Sequence, residues 1–478
     1  MMTTSNFSIE RALICDNDRY EIQSISIIGE QISKIVQGST LSHTSDANTI
    51  KIDATDTLLL PGFVNAHTHS SELWCRGYIP PLPLELWLAE LYDMEELEPE
   101  HLYLSALGTA VETLLSGGTT VVDHLVPIPG KEIESIAAAA KAYKEVGIRA
   151  FIGPLLQDDP MSAGIPTGNS QPSSSSDRIS TKNALEILEE AIRLFHRPQD
   201  GVWIMAAPTG AQLCSDAFFE GCIELSDRHS LCRHTHLLES KAQKMLAHEK
   251  YGCTAVKHLN ELGFLGDRTS LAHSIWLEES DIQTLALTQS TVVHNPLSNL
   301  RLGSGIAPLL RYRDVGVNVT FGCDGAASND SQDLLEAIKI GTLLHNTTDF
   351  DYRKWMTPQE SVRMASVGGA KGLGMSDRLG TIEVGKLADV VLYDLKSLSL
   401  LPRTDPIGLL VMGRPAQAVK HAWVSGRHVI DNGQITTIDV DALKQELYDR
   451  SRWSQAIQRS PNRAAVEDHY RSVMGLSK

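Results

Sequence analysis

Two histidines separated by one residue, His67-Thr68-His69, end the apolar run Leu58-Leu59-Leu60-Pro61-Gly62-Phe63-Val64-Asn65-Ala66. In an extended chain alternate side chains share a face, so both imidazoles can grip one metal ion. Further candidates end other short apolar runs: His234-Thr235-His236-Leu237-Leu238-Glu239, Ala272-His273-Ser274, Val293-His294-Asn295 and Gly322-Cys323-Asp324-Gly325. Taken singly, each such histidine reads as an ordinary core or surface residue. Brought together, they make a catalytic metal site in which water becomes a nucleophile at neutral pH.

The elements that must position them follow from the pattern between them. From about residue 60 to 330, short apolar runs alternate with longer amphipathic ones, the mark of repeated βα units around a parallel sheet. Strands are predicted at 62–67, 119–124, 148–154, 202–207, 230–236, 270–273, 290–294 and 317–324, and helices at 101–115, 132–146, 184–195, 215–228 and 333–344. Eight strands with intervening helices predict an α/β fold, a (β/α)8 TIM-type barrel over residues 61–375, whose chemistry belongs at the C-terminal strand ends. The candidate residues fall there. β-type alternation in residues 18–60 and again from Gly380 to about Thr437 predicts that the flanks, 1–60 and 376–440, pair into one small β-sandwich domain. Residues 441–478 are charged and helix-prone, fit to pack on the barrel or on a second subunit. The segment 157–182, rich in Ser, Gly, Pro and Asp, reads either as a surface insertion or as a lid over the strand ends.

Composition narrows the partners. A chain of 478 residues with 42% hydrophobic content builds a large core. Its formal charge of −17, with no long Lys/Arg run, excludes a polyanion, so nucleic acid is not an expected partner and a neutral or cationic small molecule is. The beginning Met1-Met2-Thr3-Thr4-Ser5-Asn6 has no basic segment leading into an apolar one, and no stretch is apolar for the length of a bilayer, so neither secretion nor a membrane is expected. Seven scattered cysteines with no C-x-x-C pair suit free thiols in a reducing compartment, the cytoplasm.

Five segments together resemble the amidohydrolase superfamily: Pro61-Gly62-Phe63-Val64-Asn65-Ala66-His67-Thr68-His69, His236-x-x-Glu239, Ala272-His273, His294-Asn295-Pro296-Leu297-Ser298-Asn299-Leu300 and Asp324-Gly325-Ala326-Ala327-Ser328-Asn329-Asp330. The branch is that of cytosine, guanine, 8-oxoguanine and methylthioadenosine/S-adenosylhomocysteine deaminases and s-triazine hydrolases, and Gly380-Thr381-Ile382-Glu383-Val384-Gly385-Lys386-Leu387-Ala388-Asp389-Val390 extends the likeness into the tail. The resemblance implies His67, His69, His236 and Asp324 as ligands of one divalent metal ion per subunit. Zinc suits three imidazoles and a carboxylate; iron or manganese is the alternative. The fourth-strand segment Val202-Trp203-Ile204-Met205-Ala206-Ala207-Pro208 offers no bridging Lys or carboxylate for a second metal. By the same resemblance Asp324 accepts the water's proton, Glu239 shuttles a proton to the ring nitrogen, and His273 orients the nucleophile.

Trp87, Glu239, His273, Asn299 and Ser328 are the candidate substrate contacts. Trp87 matches a tryptophan of the methylthioadenosine/S-adenosylhomocysteine deaminases, but Leu86 stands where those enzymes carry a ribose-binding glutamate; Glu85 is one position away, about 100° round a helix. Glu239 could instead cap a helix, and Ser328, Asn329 and Asp330 could be turn residues. His124 and His294 match no ligand. The sequence thus predicts a cytoplasmic, homo-oligomeric metal-dependent aminohydrolase that deaminates an N-heteroaromatic ring, purine, pteridine or related base, releasing ammonia. The alternatives are an s-triazine-type hydrolase expelling chloride or an alkylamine, a methylthioadenosine/S-adenosylhomocysteine-type nucleoside deaminase, and a catalytically silent scaffold.

Overall fold

In the computed structural model, which describes residues 5–16, 19–38, 49–91, 97–166, 179–451 and 461–476, eight short strands occupy the middle of the chain. They form two four-stranded parallel sheets in chain order: Phe63–Thr68, Gly118–Leu125, Arg149–Pro154 and Val202–Ile204, then Arg233–Leu237, Thr269–His273, Thr291–His294 and Asn318–Phe321. Every residue of the first three is buried, as parallel strands covered on both faces require. The helices between them show why: Glu132–Val146 buries Ile136, Ala139, Tyr143 and Val146, one stripe at helical spacing, and stops at Gly147 with φ 82°.

The sheets touch at both ends. Ala206 N donates to Cys232 O (3.0 Å) and His234 N to Ala206 O (3.0 Å), while Asp324 N donates to His67 O (2.9 Å) and Cys323 N to Asn65 Oδ1 (2.9 Å). Three strand ends differ from expectation. The fifth strand begins at Arg233, not 230, because Ser230 (φ 55°) closes the helix Asp216–His229. The fourth stops at Ile204, and the eighth at Phe321, after which Asp324 (φ 64°) leaves the extended region.

Both flanks join one nine-stranded sheet. Its order is Gln434–Ile435, Arg427–Asp431, Val419–Val424, Val390–Asp394, Thr57–Pro61, Asn6–Asp16, Arg19–Ile28, Gln31–Gln37, with Thr49–Asp53 beside Asn6–Asp16. In its hydrogen bonding the expected sandwich is therefore a single continuous sheet, joined where Leu59 pairs with Leu392. Phe7, Ile9, Ile25, Ile27, Leu59, Leu392 and Trp423 fill its core. A buried Arg149–Asp389 ion pair (Nη2–Oδ1 3.0 Å) ties this sheet to the third central strand. Helices Val440–Arg450 and Pro461–Val473 end the chain, and Arg463 Nη1 lies 3.3 Å from Glu90 Oε1 on the helix Leu84–Leu91. Of the segment 157–182, residues 167–178 lie outside the described residues. Among the described residues no helix is long and apolar enough to cross a membrane.

Candidate active site

His67 is the fifth residue of the strand Phe63–Thr68, and His69 lies just past its end (φ −124°, ψ 89°), with the two rings edge-to-face, centroids 4.8 Å apart. Three other strands deliver His236, His273 and Asp324 to the same place. His67 Nε2 and His69 Nε2 each lie 3.5 Å from Asp324 Oδ1, and His236 Nε2 lies 3.2 Å from His69 Nε2. The backbone bends to aim these groups: His273 (φ 70°) and Asp324 (φ 64°) both adopt the left-handed conformation, which costs of order 1 kcal/mol for a residue with a Cβ. Two glycines make room. A Cβ on Gly322 would meet Asn295 Oδ1 at 2.4 Å and His67 Cβ at 2.9 Å, and one on Gly325 would fall 1.8 Å from Glu72 Oε2.

The hydrogen bonds specify which ring nitrogens face inward. His69 Nδ1 donates to His124 O (2.6 Å) and His236 Nδ1 to Thr209 O (2.7 Å), leaving both Nε2 atoms bare and opposed. His67 Nε2 is buried with no hydrogen-bond partner. Burial keeps the rings of His67 and His236 neutral, His236 being pushed down to about 3. Bare lone pairs held this close repel unless a cation lies between them. Three imidazoles and a carboxylate therefore fit a divalent metal ion, with bonded Nδ1 groups supplying the outer support such ligands need.

Two carboxyls beside the cluster are driven apart. Burial raises Glu239 well above the usual carboxylate range, assisted by Asp324 and Glu85, so it is a neutral acid; Ser304 Oγ donates to its Oε1 (3.2 Å). Burial acts on Asp324 in the same sense, but the adjacent rings of His67, His273 and His69 outweigh it and hold Asp324 well below that range. His273 stands between them, its Nε2 3.6 Å from Glu239 Oε2 and 3.7 Å from Asp324 Oδ2, and its Nδ1 donates to Asn299 Oδ1 (2.9 Å). A proton acceptor, a proton donor and a neutral ring between them make an arrangement suited to hydrolysis.

The remaining expected residues separate. Asn299 joins the cluster through His273. Ser328 closes a turn by donating to Gly325 O (3.1 Å), and Asp333, accepting from Glu336 N, caps the helix that follows. Trp87 is buried in an apolar cluster with Cys75, Ile79, Leu302 and Ala327. His294 faces His345 (3.4 Å) instead of the cluster, and His124 Nε2 donates to Ala207 O (3.0 Å).

Four residues at the site carry no motif that marks them. Buried Glu72 lies against the Ala327 amide (3.3 Å). Glu85 bonds Ser240 Oγ through one carboxylate oxygen and leaves the other buried without a partner. His234 contacts His67, and Gln332 Nε2 donates to Asp324 O (2.6 Å) while its Oε1 accepts from Thr68 Oγ1 (2.9 Å). Two of them left a sequence signal, His234 by sharing a strand face with His236 and Glu85 by standing one position from the family's ribose-binding glutamate.

Residues 58–429 match the profile described as "Amidohydrolase family". The chain is 31% identical to a 5-methylthioadenosine/S-adenosylhomocysteine deaminase of Syntrophobacter fumaroxidans, over 90% of this chain and 93% of that one. The zinc complex of the atrazine chlorohydrolase of Arthrobacter aurescens superposes with a TM-score of 0.83 at 25% identity, covering 93% of this chain and 99% of the other. An adenosine deaminase of Xanthomonas campestris with bound zinc gives 0.80 at 25% identity, covering 98% of each chain.

Proposed function

The chain belongs to the amidohydrolase family, and from that premise we propose that it deaminates the amino-bearing carbon of a purine ring, with an adenosine-type nucleoside as the substrate class. It is a hydrolase of carbon–nitrogen bonds other than peptide bonds, a hydrolytic deaminase of a heteroaromatic base. The observation that carries the proposal is the placing of Glu239 and Asp324 on either side of His273, 3.6 and 3.7 Å from its Nε2, with the burial that raises Glu239 and the rings that lower Asp324 suiting one to give a proton and the other to take one. Deamination needs both at once, because water must lose a proton while a ring nitrogen gains one.

In the proposed mechanism His67, His69, His236 and Asp324 hold a divalent ion, zinc by preference. Bound there, such an ion supplies Lewis acidity, which lowers the pKa of water from about 15.7 to about 7. His273 Nε2, bare because Nδ1–H is spent on Asn299, accepts a hydrogen from the attacking water and orients it. Asp324 takes the proton released on attack. Glu239 gives its proton to the ring nitrogen that receives the displaced electron pair; the proton held by Asp324 then passes to the amino group, which departs as ammonia, while the added hydroxyl gives its hydrogen to Glu239 and becomes the carbonyl. The unpartnered oxygen of Glu85, near Glu239, supports a nucleoside over a free base, since it can accept from a sugar hydroxyl. We further propose a single metal ion at the active site of each subunit, closure of the eight strands of 61–375 into a (β/α)8 barrel, a satellite domain from 1–60 and 376–440, and a cytoplasmic homo-oligomer.

A second reading, an s-triazine-type hydrolase, is supported by the likeness to the atrazine chlorohydrolase. A panel of aminopurine nucleosides, free bases, pterins and triazines, followed for ammonia against chloride or amine release, decides between them. Ammonia from adenosine-type nucleosides is expected; release of chloride or alkylamine alone would replace the proposal with the second reading.

A further inference from the structure

Away from the strand ends, the hairpin of Val419–Val424 and Arg427–Asp431 carries His421, His428 and Asp431. Positions 428 and 431 would face opposite sides of a regular strand, since side chains alternate. They do not, because the pairing slips: Trp423 pairs with His428 but Ala422 pairs with Ile430, so Val429 is an extra residue, a β-bulge. The bulge restores Asp431 to the face that His421, Trp423 and His428 share. As a result the three donor atoms lie within 4.8 Å of one another. His421 Nδ1 lies 3.3 Å from His428 Nε2 and 3.2 Å from Asp431 Oδ1.

We propose that His421, His428 and Asp431 form a second metal site, taking a divalent cation of zinc type and clipping the two strands of the satellite sheet together. Metal–donor bonds of about 2.0–2.1 Å in a tetrahedral site place donors roughly 3.3 Å apart, and both measured spacings match that. They also match the 3.2–3.5 Å spacings of the active-site cluster. Ordinary hydrogen bonding accounts less well for the trio, because His421 Nδ1 has at most one hydrogen to share between His428 Nε2 and Asp431. Among the described residues no lysine or arginine forms an ion pair with Asp431. The surroundings resemble a built ligand shell: His428 is stacked on Trp423 (centroids 4.5 Å apart, 11° between planes) and Phe7 meets its ring edge-on at 5.3 Å. The His421 side chain is 6% exposed and that of Asp431 48%, so the site opens to solvent on one side, where water completes the coordination.

Zinc content after equilibrium dialysis against a low-micromolar zinc buffer tests this on the full chain. The native protein is expected to hold two zinc ions per chain. Asp431→Asn and His428→Phe, which keep the shape and the stacked ring, are expected to hold one, with deaminase turnover within twofold of the native value. His67→Ala, which removes an active-site ligand, is expected to retain the hairpin zinc. One zinc in the native protein, an unchanged count in Asp431→Asn and His428→Phe, or loss of all zinc in His67→Ala would overturn the proposal.

Discussion

His234 places Nε2 2.8 Å from Nδ1 of His67, and its own Nδ1 lies 2.7 Å from Oγ of Ser270. The direction of this chain follows from its far end. For His67 Nε2 to offer a lone pair, Nδ1 must carry the hydrogen and donate to His234; His234 then donates to Ser270, whose hydroxyl points at Arg233 O (3.4 Å). His69 and His236 use backbone carbonyls for the same task.

Replacing His234 by Phe frees the tautomer and rotation of His67. Loss of an outer-shell partner typically weakens metal binding by about 10- to 100-fold. Competition with a chromophoric chelator should show that loss, with Ser270→Ala weakening binding less. Unchanged affinity in His234→Phe would remove His234 from the site's support.

Glu239→Gln keeps size and hydrogen bonding but cannot deliver a proton. Metal content should stay native while turnover drops by roughly 10²–10⁴-fold. Near-normal steady-state rates would sink the proton transfer assigned to Glu239.

Glu85→Gln weakens an acceptor without opening a cavity. The KM for an adenosine-type nucleoside should rise about tenfold, as expected for one lost hydrogen bond, with little change for the free base. An equal effect on both would show that Glu85 does not touch the sugar.

Burial, the largest cause, lifts Glu72 from 4.5 to about 7. The folded protein then binds a proton that the unfolded chain has released between those values. The stability this protonation contributes is full below 4.5 and lost as pH rises through about 7, roughly 3 kcal/mol in all. Urea unfolding of metal-depleted protein at pH 5 and pH 7.5 should show that decline, and Glu72→Gln should flatten it. Parallel pH profiles for the two proteins would contradict it.

Asp389→Ala leaves Arg149, 2% exposed, as an unpaired charge between the central strands and the satellite sheet. Breaking such a pair costs about 3–5 kcal/mol, measurable as a lower urea midpoint. A shift below about 1 kcal/mol would mean that Arg149 finds water or another acceptor.

The eight central strands were legible because an apolar run between amphipathic stretches is a local pattern. Their ends were less so: Ser230 and Asp324 carry no composition that announces a left-handed backbone, and both conformations answer to what the neighbouring element needs. Trp87 shows the opposite limit. Its identity marked it as a candidate substrate contact, and an aromatic flanked by leucines serves equally as core; it lies in a buried apolar cluster with Ala327, a burial that His273 and Glu239 share. Glu72 and Gln332 are unmarked in the sequence because nothing in their neighbours' identities says that they are buried.

By itself the sequence determined which residues could be ligands and which of them share a face wherever a strand runs unbroken, since alternation along a strand is set by the backbone and needs no partner. Tertiary structure alone decided what each group is chemically. Whether His67 presents Nε2, whether Glu239 holds a proton while Asp324 has lost one, and whether His428 and Asp431 share a face depend on burial, on partners from distant strands and on one extra residue in a ladder. Protonation and tautomer are properties of an environment, and that environment exists only once the chain has folded.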